Sequence, residues 1–126
     1  MNRERALQIL MILVGLLFVA GLYPLTTSLL HWRQSDEIVP MFLSIYITLG
    51  VFLLIAARNP SANRGLIAFT AWSSFAHAFV MLIQALENPS DLAFLLGMSA
   101  VLLVIGVPLV ALAPARRSAE LAPSRA

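Results

Sequence analysis

Cysteine is absent from the 126 residues. That removes a disulfide framework, a thiolate nucleophile and any Cys-based metal site. Charge is scarce as well. Asp, Glu, Lys and Arg make up 11% of the chain, against about 25% in an ordinary soluble domain. The net charge is +2, and the basic residues stand scattered at the ends of apolar segments. A nucleic-acid reader gathers such residues on one face, so no nucleic-acid partner is expected.

Apolar residues are abundant, at 60% of the chain. A soluble protein this small has too little interior to hide them, because the buried fraction of surface falls with size. A bilayer acting as solvent removes the difficulty. Four runs carry no charged residue: Ala6–Leu30, Ile38–Ala57, Gly65–Leu86 and Leu92–Ala113. A helix rises about 1.5 Å per residue, so roughly 20 residues cross a hydrocarbon core of about 30 Å. The runs predict transmembrane helices over about 6–30, 38–57, 66–86 and 92–113, one domain covering residues 1–113, and a disordered tail over 114–126. Continuous apolar runs of helix length exclude a β-barrel, whose strands alternate over about ten residues. Short connections make sequential helices antiparallel neighbours. The expected fold is an all-α, integral membrane, up-down-up-down four-helix bundle in contact with the lipid bilayer.

Local signals refine the outline. Pro24 is expected to kink the first helix mildly, and Pro40 falls in the first turn of the second, where a missing N–H is harmless. Asn59 before Pro60 ends the second helix. Asn63 is the candidate N-cap of the third helix and Ser90 or Asp91 of the fourth. Gly97 and Gly106 would permit close helix contact, and Pro108 would bend the fourth helix. A cleaved signal peptide is the rival reading of the first run, with Arg3 and Arg5 as its basic region and Val19-Ala20-Gly21 as a cleavage site. Signal cores run about 7–15 residues, and this run is far longer.

Seven arginines (Arg3, Arg5, Arg58, Arg64, Arg116, Arg117 and Arg125) fall on one side of this arrangement, and Arg33 alone on the other. The positive-inside rule then puts both termini in the cytoplasm, in a bacterial inner membrane. The side-chain positions of Arg58, Arg64, Arg116 and Arg117 suit anionic headgroups, at about 1 kcal/mol each.

The third run holds the polar residues of interest. Thr70, Ser74, His77 and Gln84 follow at spacings of four, three and seven, which places them on one helical face. Ser73 borders the row. His77 lies about eleven residues from either end of the run, near the bilayer midplane, and Tyr46 or Thr48 of the second run reaches similar depth. An ionisable residue within a span is by default a functional hypothesis. His77 then contacts a ligand or accepts a proton in a pocket with Tyr46, Ser74 and Gln84. The competing reading is a neutral histidine hydrogen-bonded to Tyr46, Ser74 or a carbonyl and serving to hold helices together.

Other chemistries find less. His31 and His77 differ in depth by about 10 Å at the helical rise, which excludes a bis-histidine haem within one chain. His31, Asp36, Glu37, Glu87 and Asp91 have the residue types of a metal site but match no ligand spacing. No nucleophile–base pair or phosphate-binding glycine loop is present, and the residues show no catalytic constellation.

The stretch Leu43–Pro60, LSIYITLGVFLLIAARNP, and the third helix, LIAFTAWSSFAHAFVMLIQAL, resemble short four-helix bacterial membrane proteins of uncharacterised function. The pattern Ala-Ala-Arg-Asn-Pro followed by Ala-Trp-Ser-Ser-Phe-Ala-His-Ala carries the resemblance, which covers roughly residues 6–113. These look like distant members of the DoxX-like group, and that wider resemblance implies a quinone as cofactor and a quinone-linked oxidoreductase as one reading. The reading preferred from the residues is a non-enzymatic membrane component. It either binds a lipophilic small molecule at His77, Tyr46 and Ser74, or packs as an accessory subunit against a membrane-protein partner or a second copy of itself.

Overall fold

The computed structural model describes residues 2–31 and 38–114. Among them every regular element is helical: α1 (Arg3–Val19), α2 (Leu22–Leu30), α3 (Ile38–Ala56), α4 (Arg64–Glu87) and α5 (Leu92–Leu112), with short 3-10 turns at Pro60–Asn63 and Pro89–Asp91. Four helical segments are long and apolar enough to cross a membrane: Arg3–Leu30, Ile38–Ala56, Pro60–Glu87 and Pro89–Leu112. This is the make-up of a multi-pass membrane protein. Lipid explains the outer surface, where Leu30, Val104 and Leu86 are 73%, 70% and 84% exposed. A water-soluble monomer rarely leaves so wide an apolar surface uncovered.

The first span differs from its expected form at its start and in its interior. It begins at Arg3 because Asn2 caps it, accepting the Arg5 N–H at 3.0 Å. It also breaks at Ala20-Gly21, between α1 and α2, and not at Pro24. Proline has no N–H and its ring collides with the carbonyl four residues earlier, which here belongs to Ala20. That carbonyl takes the Tyr23 N–H at 3.2 Å instead, and Gly21 N–H bonds to Phe18 O at 3.0 Å. The kink therefore lies one turn before the proline that causes it.

The expected N-cap residues hold their positions without making cap bonds. Asn59 caps the 3-10 turn, its Oδ1 accepting the Ala62 N–H at 3.3 Å, while Asn63 stands at the N-cap of α4 and turns its amide back to Asn59 O at 2.9 Å. Asp91 stands at the N-cap of α5 without a side-chain hydrogen bond. Asn88 donates to Gln84 O at 3.0 Å and closes α4. The helix α5 runs on through Pro108. Residues 32–37 and 115–126, including the expected tail, lie outside the described residues.

Packing sets an uneven bundle. The helix α4 lies along α5 and α1 along α3, α1 also touches α5, and α3 meets α4 only sparsely. Leu7, Met11, Val14 and Phe18 of α1 and Ile67, Ala71, Ser74, Ala78, Met81 and Ala85 of α4 are buried at alternating steps of three and four, the spacing of a helix–helix seam. Four of those six α4 residues, Ala71, Ser74, Ala78 and Ala85, are small, as helix contacts in lipid prefer. Gly106 of α5 is required there, since a Cβ would come within 2.5 Å of the Phe75 ring. Gly97 faces open space and makes no close contact. Register is readable between α1 and α3. Gly15 lies against Gly50 and Leu54, whereas Gly21 lies against Leu43 and Ile47.

One end of the bundle is basic. Arg3 donates from Nη2 to Ala111 O and Ala113 O at 2.9 and 3.1 Å, and Arg64 from Nε to Pro114 O at 2.9 Å. Ala111 O belongs to the electronegative last turn of α5, and Ala113 and Pro114 follow directly where that helix ends.

Candidate functional site

The sparse contact between α3 and α4 leaves a groove of about 410 Å³ on the side of the bundle. From α3 it is lined by Phe42, Ile45, Tyr46 and Leu49. From α4 it receives Phe69, Ser73, Ala76, His77, Val80 and Gln84. A second depression, lined by Ser44, Thr48, Phe52 and Leu66, shares Ile45, Leu49 and Phe69 with it and extends it toward the basic end. The walls are apolar and aromatic, as in most sites for small organic molecules. The groove is open at the side of the bundle.

Tyr46 and His77 bridge it. The Tyr46 hydroxyl and His77 Nδ1 are hydrogen-bonded across the two helices. Phe18 of α1 stands edge-on to the Tyr46 ring with centroids 5.1 Å apart, and Phe42 lies 6.0 Å from the His77 ring. One ring from α1 and one from α3 itself thus flank the pair. The remaining hydroxyls near the groove bond within their own helices. Ser44, Thr48, Ser73 and Ser74 donate to the carbonyls of Met41, Ser44, Thr70 and Thr70 respectively. Tyr46, not Thr48 or Ser74, is therefore the partner of His77.

The expected polar row divides in two. At about 100° per residue, the buried stripe of α4 centres about 70° to one side of His77, and the groove stripe about 50° to the other. Thr70 and Ser74 belong to the first and are 0% and 2% exposed. Gln84 lies on the groove side and is exposed. Ser74 is thus a core residue and does not line the groove; Ser73 takes that position. The aromatic walls Phe42 and Phe69 escaped the sequence reading. Their signal was present, since Phe42 precedes Tyr46 by one turn and Phe69 precedes His77 by about two.

The pair has a donor to spare. A neutral histidine offers one N–H and one bare nitrogen, and tyrosine one O–H. If the hydroxyl donates to Nδ1, the Nε2–H is left over. If Nδ1–H donates, the hydroxyl proton is left over. One bond consumes one of two donors in either tautomer. In hydrocarbon, with no water to accept it, an unmet donor costs several kcal/mol.

His31 takes no part. It ends α2 and its Nδ1–H donates to Thr27 O at 3.0 Å. Among the described residues no three His, Asp or Glu side chains come together, and Asp36 and Glu37 lie outside those residues.

No curated protein and no solved structure matches the chain. A family model, described as a family of unknown function, matches residues 2–125. With nearly every residue matched, the chain belongs to this family of unknown function, DUF6632.

Proposed function

We propose that this protein is a small inner-membrane receptor or carrier of a lipophilic molecule, which it holds in the groove between α3 and α4. The observation that carries the reading is the Tyr46–His77 pair, bridging a groove open to lipid with one donor to spare. We also propose the up-down-up-down order with both termini cytoplasmic in a bacterial inner membrane. The α1–α3 register and the convergence of Arg3 and Arg64 on the end of α5 support that order, and the side on which arginines accumulate supports the orientation. An oxidoreductase reading with a quinone finds no redox or acid–base partner for the pair among the described residues, and its support ends at the one donor.

The test compares native mass spectra of the wild type and Ala76→Trp in mild detergent. Ala76 is exposed and lines the groove, so the indole fills the space without entering the core. A lipophile retained by the wild type and lost from an equally stable variant supports the reading. An empty wild type, or retention unchanged in the variant, refutes it, and a co-purified membrane protein would favour an accessory subunit. Because the chain has no cysteine, Ala62→Cys and Ser90→Cys test the orientation with a membrane-impermeant maleimide. Ser90→Cys should label from outside intact cells and Ala62→Cys only after permeabilisation.

A further inference from the structure

Depth narrows the ligand. Within α4, ten residues separate His77 from Glu87 and thirteen separate it from Arg64. At 1.5 Å per residue these are about 15 and 20 Å. The spare donor therefore sits near the middle of a hydrocarbon core about 30 Å thick. The ester and phosphate oxygens of a phospholipid stay at the edge of that core, about 15 Å away. Its acyl chains reach the depth of His77 but carry no acceptor. An anion is unsuited for another reason. Among the described residues the groove lining contains no arginine, and an unpaired charge in low dielectric is heavily penalised.

Resting on the groove as a ligand site, we propose that its ligand is a neutral, phosphate-free lipophile with an uncharged oxygen acceptor inside its apolar body, a ring ketone being the simplest case. The acceptor takes the spare proton of the Tyr46–His77 pair. The ligand's ring has Phe42 to pack on, an exposed lining residue whose own ring lies 6.0 Å from that of His77. Ser73 does not compete for the acceptor, because its hydroxyl is bonded to Thr70 O at 3.2 Å.

The experiment uses an alkylated benzophenone, 13C-labelled at its carbonyl, and the matched diphenylmethane, which has the same shape without the oxygen. Binding to wild-type protein in maltoside micelles is measured for both, then for the Tyr46→Phe/His77→Phe double variant. The wild type should hold the ketone about three- to twentyfold more tightly, the range of one hydrogen bond between groups in a membrane. Its carbonyl resonance should move downfield from its position in empty micelles. The double variant should bind both probes as the wild type binds the hydrocarbon, which also shows that the groove remains folded. Either single variant keeps one donor and should retain part of the preference.

Equal binding of the two probes to the wild type would overturn the inference and leave the groove as a ligand site. Competition by oleate or dioleoylphosphatidylcholine as effective as that by the ketone would overturn it too. Binding of neither probe would overturn both the inference and the groove reading.

Discussion

Gly15 and Gly50 meet backbone to backbone. A Cβ on Gly15 would lie 2.9 Å from Gly50 O, and a Cβ on Gly50 would lie 2.8 Å from Gly15 O. A carbonyl in a helix has little freedom to retreat, so the close approach of α1 and α3 depends on both residues lacking a side chain. Gly15→Ala and Gly50→Ala should each lower stability by about 1–3 kcal/mol, the usual range for overpacking. Gly97→Ala meets nothing within 4 Å and should be neutral or slightly stabilising. Thermal unfolding of the three variants in one detergent checks the contrast. Equal melting temperatures would mean that α1 and α3 are not in this register.

The second prediction concerns Gly106. Its missing Cβ is filled by a side chain and not by backbone, the Phe75 ring at 2.5 Å. Such a clash can be relieved by a second substitution. Gly106→Ala should destabilise the bundle, and Phe75→Leu in the same chain should recover much of the loss, a coupling of about 0.5–3 kcal/mol between contacting residues. Additive losses would show that α4 and α5 do not cross at this point.

The spans were legible because a charge-free run of helix length has few other fates. The depth of His77 was legible too, because counting residues from the charged ends offers Tyr46 and Thr48 at its level, and the structure selects Tyr46 because Thr48 bonds within its own helix. Azimuth was not. Thr70, Ser74, His77 and Gln84 share a face, but where the buried sector of that face ends is decided by how far α3 stands from α4, which no property of α4 specifies. The same applies to glycine. Gly97 and Gly106 look alike in the sequence, and only Gly106 faces an aromatic ring. Pro24 marks the bend in the first span, and the bend falls a turn earlier, at Ala20-Gly21, because the proline acts on the carbonyl of Ala20.

Two asparagines flank the 3-10 turn, and the structure distinguishes them. Asn59 accepts the Ala62 N–H through its side chain, whereas Asn63 only returns a hydrogen bond to Asn59 O. Asn59→Ala should cost about 0.5–2 kcal/mol, the range for loss of a cap, and Asn63→Ala less. A larger loss from Asn63→Ala in a denaturation series would contradict this cap assignment.

Ser99 tests the α4–α5 seam by hydrogen bonding. Its hydroxyl lies 2.8 Å from Leu95 O in its own helix and 3.3 Å from Ala78 O across the interface. Ser74 is as deeply buried but bonds only to Thr70 O in its own helix. Both Ser→Ala variants remove a buried hydroxyl, and Ser99→Ala alone also removes a contact between helices. It should therefore be the more destabilising, by about 0.6 kcal/mol, the average for interhelical bonds in a membrane. The order of the two melting temperatures is the measurement, and a reversed order rejects the bridging role of Ser99.

The remaining prediction isolates the bond between Tyr46 and His77 from the rings that carry it. Tyr46→Phe keeps the ring against Phe18, edge-on at 5.1 Å, and removes only the hydroxyl. His77→Phe keeps an aromatic ring of similar size beside Phe42. If the bond stabilises the fold, each single variant loses it, and the double variant loses it only once. A double-mutant cycle on unfolding free energy should therefore return a favourable coupling of about 0.6 kcal/mol and no more than about 1.7 kcal/mol. The sign carries the argument. The fold contains this bond between α3 and α4 where their other contacts are sparse, so a favourable coupling means that the pair draws the walls of the groove together. A coupling of zero would mean that each side chain is satisfied separately in the bilayer, by water or by a resident ligand.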